Sequence, residues 1–156
     1  MKINIYTDGS SLGNPGPGGF GVVMTTDRGH YKEVSMGFRR TTNNRMELLS
    51  VITALEMLKA PSKNVTIFSD SKYVVDAIEK GWLRSWEKKN FDKKKNPDLW
   101  RRFLRAVKPH SVKFQWIKGH AGHEQNERCD RLAVAAASQP NLPPDTGYEE
   151  ENKALF

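Results

Sequence analysis

"KINIYTDGSSLGNPGPGGFGVVMTT" (residues 2–26) either holds a phosphate-cradling loop or joins two strands, and the two readings lead to different folds. Ile3 and Ile5 alternate along an apolar run that ends in Asp8, and "TDGSSLGNPGPGG" then gathers five glycines and two prolines. A phosphate loop would close on Gly-Lys-Ser/Thr and open a helix, and that close is missing. Pro15 and Pro17 also remove backbone donors that such a loop would use. "GFGVVMTT" (19–26) follows as a second strand-like run. The glycine-rich stretch is therefore read as a hairpin connection, and interest moves to Asp8.

"YKEVSMGF" (31–38), one short turn later, extends this pair into a three-strand antiparallel meander. In "TTNNRMELLSVITALEMLKA" the apolar positions recur at helical spacing, which predicts a helix from about Asn43 to Lys59 capped by Thr or Asn. "VTIFSD" (65–70) is then a strand that lies parallel to the first, because a helix crossover joins them. "SKYVVDAIEKG" reads as a helix ending at Gly81, "PDLWRRFLRAV" as another, "SVKFQWIKG" as a fifth strand and "EQNERCDRLAVAAA" as a final helix. From Gln139 onward, three prolines and an acidic cluster describe a loosely held, flexible tail (139–156). The expectation is one α/β domain over 1–138, without repeats.

A chain of 156 residues can bury a core of its own. It lacks an apolar run of the ~20 residues a membrane span needs, and "MKINIYTDG" has no signal-peptide character, so a cytoplasmic location is expected. Cys129 is the sole cysteine, which excludes an internal disulfide and a cysteine-rich zinc site and suggests a small buried filler. The net charge of +7 points to a polyanion. It is concentrated between Lys80 and Lys108, where eleven Lys/Arg face three acids, leaving the rest of the chain near neutral at −1. A charge so confined describes a binding surface.

Four acids carry the chemistry. Asp8 and Asp70 end strands expected to lie side by side, and ligands of open α/β sheets bind beyond such strand ends. Glu47, placed in the first turn of the long helix, shares a face with Val51, Ala54 and Leu58 that should meet the sheet. Asp130 sits mid-helix beside the apolar run of "ERCDRLAVAAA". Each has an ordinary explanation as a cap, a turn residue, a dipole partner or an ion pair. Together, however, four carboxylates in one cleft would raise each other's pKa without a counter-ion. Hard divalent cations solve this, and Mg²⁺ suits a few carboxylates plus a substrate phosphate. His120, in "IKGHAGHEQNE", lies between glycines that would let it swing to a bound substrate; a zinc pair with His123 is disfavoured by the same glycines.

"TDGSSLGNPGPGG", "TTNNRMEL", "SDSKYV" and "KGHAGHEQNERCDRLA" occur in the order and approximate spacing of the bacterial type 1 ribonucleases H, which this chain resembles over nearly its whole length. The resemblance implies a ribonuclease H-like fold, a mixed five-stranded sheet ordered 3-2-1-4-5 with helices on both faces. It implies endonucleolytic cutting of the RNA strand of RNA–DNA hybrids without sequence preference, by a monomer. Asp8, Glu47, Asp70 and Asp130 fall on the family's metal-binding carboxylates, and His120 on a loop histidine tied to product departure or proton transfer. Ser11, Asn14, Asn43 and Asn44 fall on minor-groove residues, where 2′-hydroxyls distinguish RNA from DNA. Two Mg²⁺ ions with substrate bound, or Mn²⁺ in their place, would activate a water and stabilise the leaving 3′-oxygen, leaving 5′-phosphate and 3′-hydroxyl ends.

"GWLRSWEKKNFDKKKNPDLWRR" matches the family's basic protrusion, about residues 80–102, with Trp86, Lys88 and Lys89 as candidates for gripping the DNA strand. Trp82 and Trp100 are read as packing, and Trp86 stays open between packing and contact. The loop is shorter than in familiar relatives, Phe91 stands where tryptophan is frequent, and Lys72 stands where glutamine often meets substrate. The terminal "NKALF" is either a disordered end or a short hydrophobic peptide able to dock on a replication protein such as a sliding clamp. The alternative function is a non-catalytic hybrid-binding module, which would have no reason to keep four carboxylates that repel phosphate.

Overall fold

The computed structural model describes residues 1–119 and 123–153. Three antiparallel strands come first: β1 (Ile3–Ser11), β2 (Gly16–Thr26) and β3 (Tyr31–Thr41). They are followed by α1 (Asn43–Glu56), β4 (Val65–Ser69), α2 (Lys72–Glu79), α3 (Trp82–Lys88), α4 (Pro97–Val107), β5 (Val112–Trp116), α5 (Glu124–Ala137) and α6 (Thr146–Lys153). The strand order is β3-β2-β1-β4-β5, with β1–β4 and β4–β5 parallel. The fold expected from the sequence is the one observed. Among the described residues no helix is long and apolar enough to cross a membrane.

The glycine-rich stretch is mostly strand, and only residues 12–15 turn the chain. Its glycines serve close packing. A Cβ at Gly18 would meet the Met46 side chain of α1, whereas one at Gly19 would meet the Ala133 carbonyl of α5 at 2.6 Å. Neighbouring residues of a strand point to opposite faces, so α1 and α5 cover the two sides of the sheet. Gly21 is the tightest of these contacts, with a Cβ only 2.3 Å from the Cys129 carbonyl. Gly21→Ala should therefore cost about 1–3 kcal/mol by overpacking, read as a lower urea midpoint. An unchanged midpoint would contradict so close a helix. Cys129 is the buried filler expected, its Sγ donating to the Tyr6 carbonyl at 3.2 Å, and burial pushes its thiol up to about 12.

Between β1 and α1 the core closes on Ile5, Met46, Leu48, Ile52 and Ile67, all fully buried. Thr42 caps α1 by accepting from the Arg45 amide at 3.2 Å, and Ser71 caps α2 by accepting from Val74 at 3.3 Å. α1 stops at Glu56, three residues before the expected end. The sequence reading passed over α3 inside the basic section, where charge hides a single buried anchor, Leu83.

The larger correction concerns the tail. It does not hang free through residue 153: Asp145 is buried, and α6 forms where flexibility was expected. Arg45 holds Asp145 through Nε at 2.7 Å and Nη2 at 3.0 Å, and Thr41 Oγ1 donates to it at 2.7 Å. Arg39 adds a paired contact to Glu149. A single buried ion pair, invisible in composition, outweighs the proline and acid content. The last three residues of "NKALF" lie outside the described residues.

Candidate active site

Pairing between β1 and β4 ends at Tyr6↔Phe68, whose rings stack at 4.8 Å. Beyond this point the strands lose their ladder, and Asp8 from β1 and Asp70 from just past β4 emerge into the opening. The backbone of α1 presses on the same place at Met46 and Glu47. A Cβ at Gly9 would lie 2.4 Å from the Glu47 amide nitrogen, so only glycine lets this helix approach the strand. Glu47 is the fifth residue of α1, hence in its second turn and not its first, too far along to serve the helix dipole.

Asp8, Glu47 and Asp70 each offer a carboxylate oxygen within 4.8 Å of the others. Burial, and then the charges of Asp8 and Asp70, drive the Glu47 carboxyl well above the usual range. Its Oε2 is buried with no hydrogen-bond partner among the described residues. An all-oxygen set, mutually repelling and with an orphaned ligand atom, fits a hard divalent cation. Asp130 is half-buried on α5 and lies outside this three-carboxylate group. His120 falls outside the described residues.

Ser11, Asn43, Asn44 and Lys72 line one open cleft with Glu47 and Asp70, about 510 Å³ in volume. Asn14 joins them through its Oδ1, which accepts from the Asn43 amide at 3.2 Å. The expected minor-groove residues and Lys72 thus lie beside the carboxylates, whereas Trp86, Lys88 and Lys89 do not. Tyr73 links this cleft to a second, about 340 Å³, lined by Trp82, Trp86 and Lys93–Lys95. Lys94 stands 5.3 Å from the Trp86 ring, and Lys80 5.3 Å from Trp82. Lys88 and Lys89 are exposed at the end of α3, outside both clefts. Trp100 is core, as read, but Trp82 is 45 % exposed and is not packing. Phe91 is buried, so its replacement of a larger aromatic concerns packing.

Three residues escaped the sequence reading. Tyr73 accepts from Trp100 Nε1 at 2.9 Å and Asn96 Nδ2 at 3.1 Å, which ties the basic segment to the cleft. Arg45 is buried beneath Asn43 and Asn44, engaging Asp98, Asp145 and Asn96. Trp116 touches Asp70 and Lys72. A charged residue at an inward helical position was the one available signal, for Arg45.

A family model described as RNase H matches residues 1–138. The ribonuclease H of Desulforamulus reducens is 59% identical over 149 residues, covering 92% of each chain. LC9-RNase H1, a type 1 RNase H with the type 2 active-site motif, superposes with a TM-score of 0.77 at 36% identity, over 98% of this chain and 81% of that one. LC11-RNase H1, solved in complex with an RNA/DNA hybrid, superposes at 0.64 with 30% identity, over 87% and 96% respectively.

Proposed function

The chain belongs to the ribonuclease H family, and on that footing we propose that it cuts the RNA strand of RNA–DNA hybrids, using Mg²⁺ and leaving 5′-phosphate and 3′-hydroxyl ends. The observation that carries this reading is the gathering of Asp8, Glu47 and Asp70 beside a cleft lined by Ser11, Asn43 and Asn44. When bound there, a pair of divalent ions would supply an activated water and charge stabilisation for the departing oxygen. The three carboxylates would hold the metal, with Asp130 joining as a fourth ligand. The asparagines and Ser11 supply amide and hydroxyl groups of the kind that read 2′-hydroxyls and so select the RNA strand. His120 would assist product departure or proton transfer. The enzyme would act as a cytoplasmic monomer, with Mn²⁺ able to replace Mg²⁺.

Cleavage of a 5′-labelled RNA strand tests this, presented as hybrid, RNA duplex and single strand, each with Mg²⁺ or EDTA. Cutting of the hybrid alone, and only with metal, is expected. Retained hybrid binding without cutting under any condition would instead identify a non-catalytic binder.

The basic segment is assigned to the DNA strand. Reversing Lys88, Lys89 and Lys93 to Glu should weaken hybrid binding and flatten its salt dependence by about 0.9 in log–log slope for each phosphate no longer neutralised. Unchanged affinity across a salt series would move the grip elsewhere.

A further inference from the structure

Trp116 closes β5 and keeps 40 % of its surface exposed beside the carboxylate cleft. Its Nε1–H donates to the Asp70 backbone carbonyl at 3.2 Å. Its ring carries the Lys72 ammonium, with Nζ 5.0 Å from the centroid. The next amide, Ile117, donates to the Ser69 carbonyl at 2.9 Å, so the end of β5 holds the carbonyls of the two peptides that flank the Asp70 Cα.

Neither partner is explained by folding. Lys72 is the first residue of α2, where the helix dipole disfavours a cation. The exposed indole adds little to a core that closes elsewhere. Asp70 lies between β4 and α2, and its backbone carbonyl takes the Trp116 indole bond, so that bond helps to set the direction of its carboxylate. An ammonium that shares a cleft with Glu47 and Asp70 is drawn to their carboxylates, where it would compete with a metal ion. The face of an indole offers it a different resting place.

We infer that Trp116 is a positioning residue that presents Asp70 and Lys72 as one unit, its N–H orienting the carboxylate and its ring parking the ammonium until a nucleic-acid phosphate draws it into the cleft. This rests on the hybrid-cleaving reading above. Trp116→Phe keeps a ring and loses the N–H; Trp116→Leu loses both; Lys72→Met loses only the ammonium. The full-length proteins are compared by Mg²⁺-dependent thermal shift without nucleic acid, by hybrid binding in EDTA over a salt series, and by kcat and KM.

Trp116→Phe should raise the half-saturating Mg²⁺ about tenfold or more and lower kcat by a similar factor, with KM and EDTA binding unchanged. Trp116→Leu should in addition flatten the salt slope by about the share of one neutralised phosphate, matching Lys72→Met, and the double variant should flatten it no further. A Mg²⁺ response that Trp116→Phe leaves intact would overturn the inference alone, as would additive salt effects in the double variant. No Mg²⁺ response in the unmodified protein would overturn the metal reading and this inference with it.

Discussion

Asp70→Asn is expected to abolish cleavage of the RNA strand, leave hybrid binding in EDTA intact, and raise the unfolding midpoint of the metal-free protein. The loss of activity should exceed the roughly 10–100-fold that follows removal of an outer-shell partner, because Asp70 is itself one of the three converging carboxylates. The gain in stability follows from the same geometry. Asp70 is among the charges that push Glu47 upward, so removing its charge relieves a repulsion. Like charges about 4 Å apart near a protein surface repel by at least roughly 1 kcal/mol, or about 2–4 °C in midpoint for a chain of this size. With saturating Mg²⁺ the order should reverse, since the unmodified protein gains binding energy that the variant lacks. Calorimetry with and without Mg²⁺ checks both halves. Full activity in the variant would remove Asp70 from the chemistry.

Two carboxylates contribute to the pH dependence of stability with opposite signs. The folded-state pKa of Glu47 lies above its unfolded value, so its contribution is fully present below the ordinary carboxylate range and is lost as pH rises through the folded value. Glu33 behaves oppositely. Hydrogen bonds from Arg128 and then Tyr31 hold it at about 2, so its contribution is present above the ordinary range and is lost on acidification towards that value.

Arg45→Ala should be the most damaging change for stability outside the apolar core. The five N–H donors of a guanidinium can make five bonds, and here all five find acceptors. Nε and Nη2 reach Asp145, Nη1 and Nη2 reach Asp98, and Nη1 also reaches Asn96. Burial by itself would lower the Arg45 pKa, but the bonds it donates to Asp98 and Asp145 outweigh this and hold it above its ordinary value. The side chain is 1 % exposed and Asp145 7 %, so truncation strands a buried carboxylate. Asp98 is 41 % exposed and adds less, because water can replace its partner. Breaking a buried pair costs about 3–5 kcal/mol, equivalent here to roughly 6–20 °C in midpoint. Arg45→Lys should recover little, because an ammonium cannot span two carboxylates in a fork. A midpoint shift of 1 °C or less on truncation, that is about 0.5 kcal/mol or less, would show that the network is not a strut.

Arg45 also explains why the C-terminal segment misled the sequence reading. Prolines and glutamates describe a stretch that cannot bury apolar surface, and residues 139–152 do bury little. What anchors it is Asp145, held by a residue one hundred positions earlier. Such a pairing leaves no local trace. Trp82 escaped for a related reason: aromatic character predicts burial, but α3 turns Leu83 inward and leaves the indole beneath Lys80.

Much was nonetheless determined by sequence alone. Alternating apolar residues, a capped helix at "TTNNRMEL" and the crossover to "VTIFSD" predict the meander and the parallel pairing of β1 with β4, because period and handedness are local properties that restrict the available topologies; the full strand order came with the family resemblance. Asp8 and Asp70 were legible for the same reason, since acids at strand ends declare themselves by position, while Glu47 and Asp130 stood out as acids beside apolar helix faces. Tertiary structure decided which of them meet. It gathers Asp8, Glu47 and Asp70 within 4.8 Å while leaving Asp130 outside that group, and it sets Trp116 against Asp70 and Lys72. Those distances depend on how closely α1 and α5 approach the sheet at Gly9, Gly19 and Gly21, a matter of packing between elements that no periodicity encodes.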